Sequence, residues 1–187
     1  MKQKHILFDL DGTIVRSDLG ITKGVQKSLE HFGIYEELDD LKKFVGPPMV
    51  ESYTNLYGFS LEQYKEALDV FHDYYRSVGI FECELYEGIE EMLNSLSKEY
   101  KLYVATSKPE REAKRVIEYF GLDKYFTFVG GSDGDFNTKR DTKTAVIEYV
   151  LETNKIMDRS FAIMVGDKSH DIVGAGNAGL KSIGGLY

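Results

Sequence analysis

Two aspartates one residue apart, Asp9 and Asp11, close the apolar run Ile6-Leu7-Phe8 and are followed at once by Gly12. Such a run reads as a short buried strand, and the glycine lets the chain turn sharply behind it. Side chains two apart on a strand share a face. If strand geometry persists through them, both carboxylates aim at one small volume. Like charges that close are unfavourable unless a cation sits between them or one takes a proton. Either state suits nucleophilic attack with general acid–base help beside a divalent metal. Without chemistry the same residues are an acidic turn. They are not an EF-hand loop, because the glycine stands at the fourth position of the pattern and that loop needs it at the sixth.

Further residues of the same kind follow downstream. Thr106-Ser107-Lys108-Pro109 crosses from a strand end to a helix start, where hydroxyls and unpaired backbone N–H groups suit an anion; Ser107 could equally be a plain helix cap. Lys143 opens a helix after a polar loop. It is either a solvated surface lysine or a residue with another use, since a cation at a helix N-terminus opposes the macrodipole. Gly166-Asp167 ends another apolar run, and Asp171 follows four residues on, as a possible helix cap.

The elements that must position these residues are legible from periodicity. Helical spacing covers Gly24 to Phe32 and Leu61 to Val78, with Gly46-Pro47-Pro48 as a hard break between helical stretches. No strand is expected from Thr22 to about Phe81, and the aromatic stripe Tyr64, Phe71, Tyr74, Tyr75 reads as packing between helices. From Gly88 on, helices near Ile89–Leu96, Pro109–Phe120, Thr144–Thr153 and Ile172–Ala178 alternate with strands at Lys101–Thr106, Phe126–Val129, Phe161–Val165 and Lys181–Ile183. Apolar strands without two-residue alternation indicate a parallel sheet covered on both faces. Sites in such sheets lie at the carboxyl ends of strands. Asp9, Asp11, Thr106, Ser107 and Asp167 all fall there.

At 187 residues, with 42% hydrophobic content, the chain suits one domain with a modest insertion. A net charge of −8 argues against nucleic acid, because no basic stripe is available to displace counterions. It also repels anionic substrates at long range, so any phosphate site must rest on local cations or a metal. One cysteine, Cys83, allows no internal disulfide and suits a reducing compartment. With no apolar run of spanning length and no cleavable apolar leader, the expectation is a cytoplasmic protein, monomer or homodimer, that does not engage membranes. Two patterns mislead. Gly174-Ala175-Gly176-Asn177-Ala178-Gly179 matches the dinucleotide glycine pattern but does not join its strand to its helix. Asp133-Gly134-Asp135-Phe136-Asn137 starts like a calcium loop but has Thr138 where glycine belongs.

Phe8-Asp9-Leu10-Asp11-Gly12-Thr13, Thr106-Ser107-Lys108-Pro109, Lys143, and Gly166-Asp167 with Asp171 together resemble the four ordered motifs of the haloacid dehalogenase-like hydrolases. The helical stretch, with Gly46-Pro47-Pro48 and Tyr75-Arg76 to Gly79-Ile80, is similar to the phosphoglycolate phosphatase-like subgroup. The resemblance implies a three-layer, Rossmann-like α/β core of residues 1–16 and 85–187, with an all-helical cap, residues 17–84, inserted after the first strand. It implies a phosphatase acting on a small phosphate ester. Asp9 would be the nucleophile that carries the phosphoryl group, and Asp11 the acid and base. Thr106, Ser107 and Lys143 would bind phosphate. Mg²⁺ would be held by Asp9, Asp167 and the Asp11 carbonyl, with Asp171 orienting its waters or Lys143. Alternatives are a phosphomutase of the same fold and a phosphoaspartate signalling module, the latter opposed by an acid–base group so near the nucleophile.

Phosphoglycolate, a nucleoside monophosphate, pyrophosphate and a sugar phosphate all suit such a core. Arg16, Lys23, Lys43, Arg76 and the Gly46-Pro47-Pro48 turn are the candidates for selecting among them. Members of that family usually continue beyond a final Leu-Tyr-Gly-type segment, whereas the sequence ends at Tyr187. The expectation is an exposed sheet edge, met by lower stability or by a compensating interface. One geometric condition governs the whole reading: the carboxylates of Asp9 and Asp167 must lie close enough to share an ion.

Overall fold

A computed structural model describes residues 4–45, 49–134 and 139–185 of the chain. In chain order the elements are β1 (Lys4–Phe8), β2 (Val15–Arg16), α1 (Asp18–His31), α2 (Met49–Tyr57), α3 (Leu61–Tyr75), β3 (Glu84–Leu85), α4 (Ile89–Leu96), β4 (Tyr100–Pro109), α5 (Glu110–Tyr119), β5 (Phe126–Ser132), α6 (Lys143–Thr153), β6 (Ala162–Gly166), α7 (Ser169–Asn177) and β7 (Lys181–Gly184). The Gly46-Pro47-Pro48 break and most of the Asp133–Asn137 loop lie outside the described residues. The chain forms two compact units, one of Met1–Val15 with Leu85–Tyr187 and one of Arg16–Glu84. The crossings between them are β2 and β3, which pair as a two-stranded ribbon.

The first unit is a five-stranded sheet in the order β5-β4-β1-β6-β7, with every described pairing parallel. β1 lies centrally because it is apolar on both faces. Leu7 faces one side with Tyr103, Ala105 and Met164, and is covered by Val146, Ile147 and Val150 of α6 and Ala175 of α7. By the two-residue alternation of strands, Ile6, Phe8, Leu102 and Val104 face the other side, where α4 and α5 bury Leu93, Ala113, Val116 and Ile117. This is the doubly covered α/β sheet expected. The glycine-rich run that imitates a dinucleotide motif lies within α7 and the turn that ends it, as packing surface. β7 forms one edge, and Ile183 on it is exposed.

The second unit is helical and aromatic. The buried Tyr53 ring lies 5.0 Å from Phe44, 5.5 Å from Phe59 and 5.7 Å from Tyr64. α3 opens on Ser60 with a capping box: Ser60 Oγ accepts the Gln63 N–H at 3.2 Å, and Gln63 Oε1 accepts the Ser60 N–H at 3.0 Å. α1 begins at Asp18, six residues before the expected Gly24. Its glycines hid the start, since they weaken helix propensity; Gly24 lies under the Phe71 ring, where a side chain would collide. α3 ends at Tyr75 rather than Val78, and a 3₁₀ turn over Gly79–Phe81 follows. β2 and β3 are two residues each, too short to leave a periodic pattern in the sequence.

Candidate active site

The site is built at the carboxyl ends of β1, β4 and β6. The Asp9 N–H donates to the Val165 carbonyl at 2.9 Å, so the β1–β6 ladder runs one residue past the strand and fixes where the Asp9 carboxylate leaves the sheet. That carboxylate is buried. Lys143 Nζ donates to Asp9 Oδ1 at 2.8 Å and to the Ala105 carbonyl at 3.2 Å, and it lies 2.8 Å from Asp171 Oδ1. Lys143 is only 5% exposed, which rules out the surface-lysine reading. Thr142 caps its helix by accepting the Ala145 N–H at 3.2 Å. The macrodipole at that end disfavours a cation, and two carboxylates compensate.

Asp171 makes two contacts. Its Oδ2 accepts the Lys168 N–H at 3.0 Å, closing the first turn of α7, while Oδ1 faces Lys143. Asp167 follows β6 and is half-buried. It accepts from the Thr13 hydroxyl at 3.3 Å and lies 3.3 Å from Lys168 Nζ. Gly12 has φ +87°, and a Cβ there would stand 2.5 Å from Asp167 Oδ2, so glycine is required both by the turn and by the carboxylate beside it.

One oxygen each from Asp9, Asp167 and Asp171 lies within 4.8 Å of the others. Asp9 and Asp167 therefore meet the distance condition for sharing an ion. The donor set is all hard oxygen, as Mg²⁺ prefers, and the bare Gly12 keeps room for the Asp167 carboxylate. Asp171 is fully buried, with Oδ2 on the Lys168 N–H and Oδ1 in ionic contact with Lys143 but outside hydrogen-bond geometry.

Burial raises the Asp9 carboxyl above the usual carboxylate range, and the Lys143 charge only partly offsets this. For Lys143 burial acts downward, but the charges of Asp9 and Asp171 outweigh it and hold the ammonium above its ordinary value. The buried group is thus a charge cluster in which each member depends on the others.

Asp11 requires a correction. The strand does not persist to it: β1 ends at Phe8, the chain turns, and Asp11 forms an isolated bridge with Val15. Its carboxylate is held by Lys108, at 2.7 and 3.0 Å to its two oxygens. Lys108 belongs to the Thr106–Pro109 stretch, but a lysine between a buried strand and a proline does not declare by its residue type that its side chain is buried. Ser107 is exposed and does not cap α5, whose N-cap is Pro109. Thr106 is buried, and its hydroxyl accepts the Lys108 N–H at 3.2 Å.

A parallel α/β sheet with carboxylates at its strand ends and a buried lysine beside them agrees with the family that the motifs resemble. The chain belongs to the haloacid dehalogenase-like hydrolase family, whose model matches residues 6–184. It is 35% identical over 189 residues to a 5'-nucleotidase of Pseudomonas aeruginosa, spanning 100% of this chain and 84% of that protein. It is 33% identical to the tyrosine-protein kinase PtkA of Mycobacterium tuberculosis over 95% of this chain, but spans only 60% of that protein. Among solved structures, a "predicted phosphatase" from Clostridium acetobutylicum superposes with a TM-score of 0.90 at 42% identity, covering 98% of this chain and 85% of that one. Among the described residues, no helix is long and apolar enough to cross a membrane.

Proposed function

We propose that this chain is a Mg²⁺-dependent phosphatase that hydrolyses a small phosphate monoester, with nucleoside monophosphates first among the candidates, through an aspartyl phosphate on Asp9. The observation that carries this reading is the meeting of Asp9, Asp167 and Lys143 at three strand and helix ends. The full-length likeness to a 5'-nucleotidase supports the substrate class.

A carboxylate oxygen of Asp9 attacks phosphorus, the bond from phosphorus to the ester oxygen breaks, and Asp11 gives its proton to the departing alkoxide. Asp11 then takes a proton from water. The water oxygen attacks the phosphoryl group, inorganic phosphate leaves, and the Asp9 carboxylate is restored. Lys143, Thr106 and Ser107 hold phosphoryl oxygens and stabilise charge as it develops. Asp9, Asp167 and the Asp11 carbonyl would hold Mg²⁺, with Asp171 keeping Lys143 in place. When bound, the ion supplies positive charge against which the phosphoryl oxygens and the Asp9 carboxylate can approach each other. The helical unit, as a cap, selects the leaving group.

Phosphate release tests this on a panel of AMP, phosphoglycolate, pyrophosphate and a sugar phosphate, with Mg²⁺ and with EDTA. The expected result is Mg²⁺-dependent turnover that Asp9→Asn lowers about a thousandfold or more. Wild-type turnover in Asp9→Asn rejects the nucleophile, and undiminished turnover in EDTA rejects the metal.

A further inference from the structure

Lys108 reaches the site by a device of its own. β4 pairs Thr106 with Gly131 and then Pro109 with Ser132, so Ser107 and Lys108 stand between consecutive partners as a bulge. Bulges re-aim side chains: here Ser107 is left exposed while Lys108 is buried. The Thr106 hydroxyl pins the bulge by accepting the Lys108 N–H. A Cβ on Gly131 would stand 2.5 Å from the Lys108 carbonyl oxygen, so the neighbouring strand admits the bulge only because that residue is glycine. The outcome is an ammonium group on a side chain 5% exposed, 2.7 and 3.0 Å from both oxygens of a carboxylate that is itself 21% exposed. Contact with both oxygens fixes the carboxylate's rotation as well as its place, and charge-assisted bonds are the strong ones.

We infer that Lys108 is a positioning residue for Asp11, acting on the reaction only through the orientation of that carboxylate. This rests on the role proposed for Asp11. If it holds, Lys108 matters most where a leaving group needs a proton. Glycerol 2-phosphate departs as an alkoxide and needs one, whereas p-nitrophenyl phosphate departs as a stable phenolate.

The test measures kcat/KM on both esters for wild type, Lys108→Met, Lys108→Arg, Asp11→Asn and the Asp11→Asn/Lys108→Met double variant. Lys108→Met is expected to lose about ten- to a hundredfold more on glycerol 2-phosphate than on p-nitrophenyl phosphate, a share of what general acid catalysis supplies. Lys108→Arg should recover part of that loss, and Lys108→Met added to Asp11→Asn should cost nothing more. Equal losses on both esters, no loss, or additive losses in the double variant overturn the inference. If Lys108→Met does not fold, the ester ratio of Lys108→Arg decides, and an unchanged ratio overturns it. The parent reading has a separate control: a wild type inactive on both esters, or an Asp9→Asn variant as active as wild type, rejects the phosphatase and Lys108's role together. Uniform losses in an Asp9-dependent enzyme reject Lys108's role alone.

Discussion

The two units of the chain bury polar groups in opposite ways. In the sheet unit the buried residues include Asp9, Lys108, Glu112, Lys143 and Asp171, with partners of Asp9, Lys108 and Lys143 drawn from across the chain. In the helical unit the buried polar residues are Ser17, Thr22, Ser28, Ser52 and His72. There the bonds of Thr22 and Ser28 to backbone are local: Thr22 donates to the Asp18 carbonyl at 2.8 Å, and Ser28 to the Val25 carbonyl at 2.7 Å. Thr22 is satisfied within its own helix, and Ser28 adds to its local bond a neutral one to the Tyr53 hydroxyl. Buried charges are more demanding, because a partner removed leaves the other ion stranded. The sheet unit therefore adds buried charge pairs to its apolar core, whereas the ion pairs of the helical unit, such as Lys23–Glu82 and His31–Glu66, lie at its surface around a core of packed rings.

Replacing Lys143 puts the sharpest strain on that contrast. Lys143→Met strands Asp9 and Asp171 in a dry core, and denaturant unfolding should show a loss of about 3–5 kcal/mol. A loss below about 1 kcal/mol would mean the carboxylates relax into solvent and the cluster is not coupled.

Alkali probes the helical unit instead. Burial pushes the Tyr53 phenol up to about 12, despite its bond with Ser28. Burial and the bond to Glu82 push Tyr74 up to about 12 as well. A folded-state pKa above the unfolded value means the folded chain holds its proton longer. The stabilisation is then complete below about pH 10 and is lost as pH rises through about 12. For Tyr53, fully buried, the span is about 2–3 kcal/mol. Unfolding followed by far-UV dichroism against pH should show that loss, and Tyr53→Phe should flatten it. A slope unchanged by the variant would assign the alkaline loss elsewhere.

The smallest effect is Ser60→Ala. It removes half of the α3 capping box and should cost about 1 kcal/mol in a denaturant titration, leaving the sheet unit's site untouched. A fall in phosphate release larger than the stability change would blur the division of roles.

The sheet was legible because its strands are apolar on both faces, so Ile6 to Phe8 and Leu102 to Ala105 stand out without any partner being known. The acidic strand ends were legible for the same reason: a carboxylate that abruptly closes a buried run has little packing use. Helix edges were less so. Gly20 and Gly24 disguise the first turns of α1, and Asp171 starts α7 earlier than apolar spacing suggests, since its capping bond is worth more there than periodicity. What the chain could not declare was which lysine meets which carboxylate. Lys143 pairs with Asp9 across 134 positions and Lys108 with Asp11 across 97, and such contacts are decided by strand order and by a bulge, which leave no local trace.

The ribbon of Val15–Arg16 with Glu84–Leu85 brings departure and return of the inserted segment side by side. A segment whose ends already meet can be exchanged like a cartridge. A tight turn of about two to five residues joining the ribbon strands would close the gap at little entropic cost. At that joint the sheet can accept inserts of other lengths without shifting the strand ends that carry Asp9 and Asp167, and a designer could transplant a foreign helical module there.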